Sequence, residues 1–106
     1  MYSELNAGKA IVLKDQVKYE KGKAIKQPFI TADNTKLLLI AIDHGELPTH
    51  AAPADALITV LEGEGDLTYE GNTIHIHEHD SVKFEKGAMH SVKSDKKLKF
   101  SLLLLA

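Results

Sequence analysis

The chain has 106 residues, 43% of them hydrophobic by type and 26% charged, and thirteen Lys+Arg against fifteen Asp+Glu leave a formal charge of −2. That is the size of one domain, with no room for a second core, and the absence of cysteine excludes disulfide frameworks, thiolate metal sites and cysteine nucleophiles. Near-neutral, interspersed charge argues against nucleic-acid and membrane-surface partners. The longest apolar run, Leu37–Ile42, falls far short of the roughly 20 residues of a membrane-spanning helix.

In chain order, short apolar bursts predict strands over Ala10–Leu13, Ile25–Thr31, Leu37–Asp43, Leu57–Glu62, Asp66–Tyr69, Thr73–His77, Ser81–Phe84, His90–Lys93 and Lys97–Leu105. Residues 1–30 thus contribute N-terminal strands, and Leu5–Leu13 has room for a short turn. Residues 1–20 lack the apolar core of a signal peptide, Lys14, Asp15 and Lys18 breaking it up, so a cytoplasmic protein is expected. Asp33-Asn34, His44-Gly45, Gly63-Glu64-Gly65, a hairpin centred on Gly71-Asn72, His79-Asp80, Lys86-Gly87 and Ser94-Asp95 read as turns, because these residue types accept positive φ or bond their own backbone. Several short strands with closely spaced turns make an all-β sandwich or barrel.

Leu67 and Tyr69 alternate with Asp66, Thr68 and Glu70, and Val82 and Phe84 with Ser81 and Lys83, as in strands with one wet and one dry face. Leu37–Ile42 and Leu102–Leu105 are apolar on both faces. Strands of that kind are covered on both sides, by a second sheet or a partner subunit, and because one barrel of this size cannot supply all of that cover a homodimer is expected.

Six histidines stand in the chain. His50 follows Pro48 in a segment leading into the strand Leu57–Glu62, and His90 follows Gly87 into another strand. In an antiparallel barrel the two can meet at one mouth, where neutral imidazole serves as a metal ligand or a general base. His75 and His77 share a strand face opposite Ile74 and Ile76. Their apolarity puts the isoleucines on the core face, so the histidines point outward, where such a pair captures stray metal more often than it serves an evolved site. The pocket lining expected from alternation is Ile58, Val60, Leu67, Tyr69, Phe84, Val92, Phe100 and Leu102, with Tyr69 able to hydrogen-bond a ligand.

Residues 44–63 and 79–94 together resemble the two motifs of the cupin superfamily. The first motif lays His50-Ala51-Ala52-Pro53-Ala54-Asp55-Ala56 ahead of the phrase Val60-Leu61-Glu62-Gly63-Glu64-Gly65. The second places Gly87 and His90 in register. The resemblance implies a single-domain, double-stranded β-helix (jelly-roll) barrel over residues 1–106. It also implies a metal site of two His and one Glu from the first motif and one His from the second. Here Ala52 holds the second His position and Ala56 the Glu position, so half of that donor set is missing. His79, Glu85 and Ser94 replace the second motif's opening Gly, Pro and Asn, and His44 the first motif's opening Gly.

Three readings follow. The first is a small-metabolite binder with His50 and His90 at the pocket mouth as hydrogen-bond donors and Tyr69 and Phe84 in its wall. A second is a metal-dependent enzyme, of the dioxygenase, isomerase or decarboxylase kinds that the resemblance implies, on a reduced site of His44, His50 and His90 holding Zn, Ni, Cu, Fe or Mn. The third is metal-free acid–base catalysis by His50 or His90, oriented by Glu85 or Tyr69. Asp55, beside the vacant Glu position, should point outward or cap the turn at Pro53.

Overall fold

The computed structural model of the protein describes residues 7–105, so Leu5 and Asn6 of the expected N-terminal turn lie outside the described residues. A short 3-10 turn, Leu13–Gln16, precedes six strands: β1 Lys23–Ala32, β2 Thr35–Ala51, β3 Asp55–Tyr69, β4 Asn72–His77, β5 Ser81–Phe84 and β6 Met89–Leu105. All pairings are antiparallel, in the order β1-β2-β6-β3-β4, with β5 also on β3. β6 is the spine, pairing along its length with β2 on one side and β3 on the other. On the far edge of β3, β5 pairs with Ala56–Thr59 and β4 with Glu64–Tyr69. The result is the all-β double-stranded β-helix that the motifs predict.

Three of the expected turns are bends inside long strands. Leu37–Asp43 runs on through His44-Gly45 to Ala51, Leu57–Glu62 joins Asp66–Tyr69 through Gly63-Glu64-Gly65, and His90–Lys93 joins Lys97–Leu105 through Ser94-Asp95. The ladders slip at Asp43/Gly45, Val60/Glu62 and Gly63/Asp66. An extra residue placed in one strand kinks it without ending it. His44 (φ 51) and Gly63 (φ 81) take the left-handed backbone that such bends use. Glycine is required at the second bend, since a Cβ on Gly63 would overlap the Lys97 carbonyl oxygen and lie 2.8 Å from its carbon. Turn residues therefore mark curvature here as well as chain reversal. The true reversal between β3 and β4 is Glu70-Gly71, both at positive φ as a type I′ hairpin demands, with Asn72 already paired to Tyr69.

Inside the barrel, Ile40, Ile42, Ile58, Val60, Leu67, Val92, Leu98 and Phe100 form the main core. The outer face of β1–β2 carries a second one, in which Val17 covers Phe29, Leu39 and Ala41 with Leu13 and Tyr19 beside it. The chain's own N-terminal segment thus covers the second apolar face of Leu37–Ile42, and that face does not call for a partner subunit. Ala10–Leu13 is not a strand: it pairs with no neighbour, and the segment is held by side chains instead. Lys99 Nζ donates to the Lys14 carbonyl (2.6 Å), Tyr19 donates to Glu62 Oε2 (2.7 Å), and Lys14 approaches Glu62 at 3.6 Å. Burial, then the Glu62 carboxylate, pushes the Tyr19 phenol up, while that same hydrogen bond holds Glu62 below the usual carboxylate range.

One core expectation needs correcting. Ile76 is 1% exposed, but Ile74, toward the hairpin tip of the edge strand β4, is 43% exposed. Beyond Leu37, which packs on the second core, an apolar row runs on in register through Leu103 to Leu57. Leu57 there is 38% exposed and Leu105, two residues on, 49%.

Candidate functional site

Strand pairing assembles the site. His50 on β2 is in register with His90 on β6, and His90 with Tyr69 on β3. β5 adds Phe84. Antiparallel partners share a face, so the four rings form a chain: His50–His90 centroids 4.4 Å apart, His90–Phe84 4.4 Å, Phe84–Tyr69 5.5 Å. His90 is buried, at 5% exposure, while His50 is exposed.

Between the two imidazoles and the core lies a hollow of about 90 Å³. Ala52, Ala56, Phe84, Leu38, Leu102 and Leu104 line it, together with Pro53, Lys26 and the two histidines. Both alanines line the hollow and are buried, each offering it a methyl group and no lone pair. A roomier depression of about 200 Å³ beside Asp33 and Asn34 holds no imidazole.

The turn before β6 sets the orientation of His90. Ala88 N–H donates to the Glu85 carbonyl (3.0 Å) with Gly87 at φ 88 in the third position, as in a type II turn. Three neighbours fix that turn. Ala52 exchanges hydrogen bonds with it (Ala52 N–H to Ala88 O, 2.9 Å; Gly87 N–H to Ala52 O, 2.8 Å). Asp55 Oδ1 accepts from Lys86 N–H (2.9 Å), and Glu70 Oε2 accepts from Met89 N–H (2.8 Å). The Ala88 carbonyl then accepts His90 Nδ1–H at 3.1 Å, and the Pro48 carbonyl accepts His50 Nδ1–H at 3.0 Å. A neutral imidazole carries one proton. With it on Nδ1, both Nε2 atoms are lone-pair acceptors, contrary to the donor role expected from the sequence. Burial, with smaller contributions from His50 and Lys26, holds His90 below the ordinary imidazole range despite the Ala88 bond.

Of the residues expected to line the site, His50, His90, Phe84 and Leu102 do so, whereas Ile58, Val60, Leu67, Val92 and Phe100 are core. Tyr69 stands behind Phe84, its hydroxyl accepting from Glu85 N–H at 3.1 Å, so it does not face the hollow. Backbone carbonyls orient the imidazoles, and neither Glu85 nor Tyr69 does. His44 is also elsewhere. It lies six residues up β2 from His50, on the order of 20 Å at strand spacing, and its Nδ1 meets Asp43 Oδ1 at 2.6 Å. Its place in the bulge turns it to solvent. His75 and His77 are exposed, as alternation predicts, and each has its own carboxylate. His75 lies between Asp66 (2.9 Å) and Glu64 (3.2 Å), a pairing that raises its pKa, and His77 is 3.4 Å from Asp80. Among the described residues no group of three His, Asp or Glu side chains is placed to hold a metal ion. Sequence reasoning missed Lys26. The available signal was the alternation Ala24, Lys26, Pro28 against Ile25, Gln27, Phe29, easily read with either set inward.

A small antiparallel barrel of long bent strands is the double-stranded β-helix architecture. The family model described as Cupin domain matches residues 38–105, and the chain belongs to that family. A protein of Aquifex aeolicus (strain VF5) described as uncharacterized is 32% identical over 73 residues, 69% of this chain, and the match spans 60% of that protein's length. Among solved structures, a cupin superfamily protein from Desulfitobacterium hafniense superposes with TM-score 0.86 at 16% identity, covering 95% of this chain and 94% of that one. A conserved protein of unknown function from Streptococcus pyogenes gives 0.85 at 20% identity, covering 95% and 90%. A Cupin 2 conserved barrel domain protein from Leptotrichia buccalis gives 0.81 at 26% identity, covering 88% of this chain and 46% of that one. The metal implied by the family resemblance does not fit this donor set. Two imidazoles facing two alanine methyls fall short of the three or four protein ligands that divalent-metal sites use.

Proposed function

We propose that this cupin barrel binds a small metabolite in the hollow, with His50 and His90 at its mouth and Phe84 in its wall. The supporting observation is the pair of Nδ1–carbonyl contacts: two remote imidazoles, each within hydrogen-bond distance of a backbone carbonyl through Nδ1, leave their Nε2 atoms beside an apolar cavity. An apolar pocket with a few convergent polar groups is the usual form of a small-molecule site. The Nδ1–carbonyl arrangement also orients metal-ligating histidines, and this is what favours the second reading, a metal-dependent enzyme on a reduced site. That reading has lost His44 as its third ligand. Tag-free protein decides between them by elemental analysis and by NMR observation of the His50, His90 and Phe84 rings during titration with small alcohols and acids. Metal far below one equivalent with ring shifts on titration supports the binding reading. Stoichiometric Zn, Ni, Fe or Mn that disappears in His90→Ala overturns it.

The setting we propose is a cytoplasmic homodimer. Among the described residues no helix is long and apolar enough to cross a membrane, and the exposed Leu57 and Leu105 supply an apolar face for a second copy. Sedimentation of the wild type as a monomer at micromolar concentration would contradict the dimer.

A further inference from the structure

Lys26 is the feature of the hollow that ligand binding through histidines leaves unexplained. It lies on β1 in register with Ile40, on the strand face that fills the barrel, and so points toward the interior from the sheet's edge. Its exposed side chain lines the hollow together with His50 and His90, and among the described residues no carboxylate pairs with it. An inward-pointing lysine on an edge strand also discourages edge-to-edge pairing, but that role asks nothing of the cavity beside it.

The rim therefore offers one cation and two hydrogen-bond acceptors. A simple carboxylate answers the cation alone, and a neutral alcohol answers the acceptors alone. An amino acid's ammonium could donate to the acceptors, but it adds a second positive charge to a rim that already carries Lys26. A molecule with a carboxylate beside a hydroxyl answers the cation and an acceptor at once. Size limits the remainder: a cavity of about 150 Å³ takes a benzene ring, so the present one of about 90 Å³ admits roughly three or four carbon atoms.

We propose that the hollow selects a short-chain 2-hydroxycarboxylate, with Lys26 on the carboxylate, one of the two Nε2 atoms of His50 and His90 accepting the hydroxyl's single proton, and the aliphatic tail against Ala52, Ala56 and Phe84. This rests on the ligand-binding reading above and adds the ligand's chemical class.

The test is an NMR titration of the full tag-free chain at pH 7.5 and low salt with 2-hydroxypentanoate, pentanoate, 2-hydroxypentanamide and norvaline, repeated on Lys26→Met and Lys26→Arg. The expected result is that 2-hydroxypentanoate binds at least tenfold more tightly than the other three. Lys26→Met should abolish its advantage over the amide while the amide still shifts the His50, His90 and Phe84 rings, and Lys26→Arg should retain it. Equal affinity for acid and amide, or an advantage that survives Lys26→Met, would overturn the assigned class and leave the site standing. Absence of ring shifts with all four compounds would overturn both.

Discussion

Replacing Gly63 with alanine tests the bend at which the β3–β6 ladder slips between Gly63 and Asp66. Two costs add. Gly63 sits at φ 81, a conformation that costs an L-residue roughly 1–2 kcal/mol. The new Cβ would also overlap the Lys97 carbonyl oxygen and lie 2.8 Å from its carbon and 3.2 Å from Leu98 Cα. These are backbone atoms in a paired strand that cannot swing aside, and such overpacking costs about 1–3 kcal/mol. Together they remove about 2–5 kcal/mol from a domain whose whole stability is on the order of 5–15 kcal/mol. The midpoint of thermal unfolding should fall by roughly 10 °C or more, at about 4–8 °C per kcal/mol for a chain near this size. Gly71→Ala is the control: its φ is 84, but a Cβ there meets nothing within 4 Å. It should lose the conformational part alone, about 1–2 kcal/mol. Urea and thermal denaturation of both variants give the difference. Equal losses would refute the close approach of β3 to β6 at this bend.

Restoring the absent donors with Ala52→His and Ala56→Glu together should create a site that binds Zn or Ni stoichiometrically after dialysis, where the parent retains far less than one equivalent; no gain in retained metal would show that those positions do not face the hollow. His75→Asn should reduce thermal stability most in acid. A raised folded pKa contributes fully below the unfolded value and is lost as pH rises through the folded one, so the gap between wild type and variant should close at alkaline pH. His90 runs the other way. With its folded pKa lowered, the protein should lose stability as pH falls below about 6.5, and His90→Phe should flatten that loss. Tyr69→Phe removes the acceptor for an exposed backbone N–H that water can replace, so it should cost less than about 1 kcal/mol and leave ligand affinity unchanged.

Much of this was legible in the sequence because alternation and family spacing are local signals. The spacing of His50 to Ala52 and Ala56, and of Gly87 to His90, places those residues around one hollow although two of them are alanines. Several other features turn on geometry that spacing does not carry. His44-Gly45 and Gly63-Glu64-Gly65 have turn composition, yet a bulge and a reversal draw on the same positive-φ residues, and only the ladder on β6 separates them. Tyr69 has the inward parity of its strand, but Phe84, from β5, stands between it and the cavity. The outer face of Leu37–Ile42 looked like an interface because nothing local says that Val17 folds back over it. His44-Gly45 has the composition of a strand end, which would put His44 at the mouth, whereas β2 continues for another seven residues to Ala51.

The most direct test of the site is the protonation pattern of the two rings, read by long-range proton–nitrogen correlation on histidine-labelled protein at pH 8. Both His50 and His90 should carry their proton on Nδ1, with an unprotonated Nε2 whose resonance moves when a hydroxyl-bearing ligand is added. A proton on Nε2 of either ring, or Nε2 resonances indifferent to every ligand, would mean that these imidazoles do not offer paired acceptors to a shared cavity.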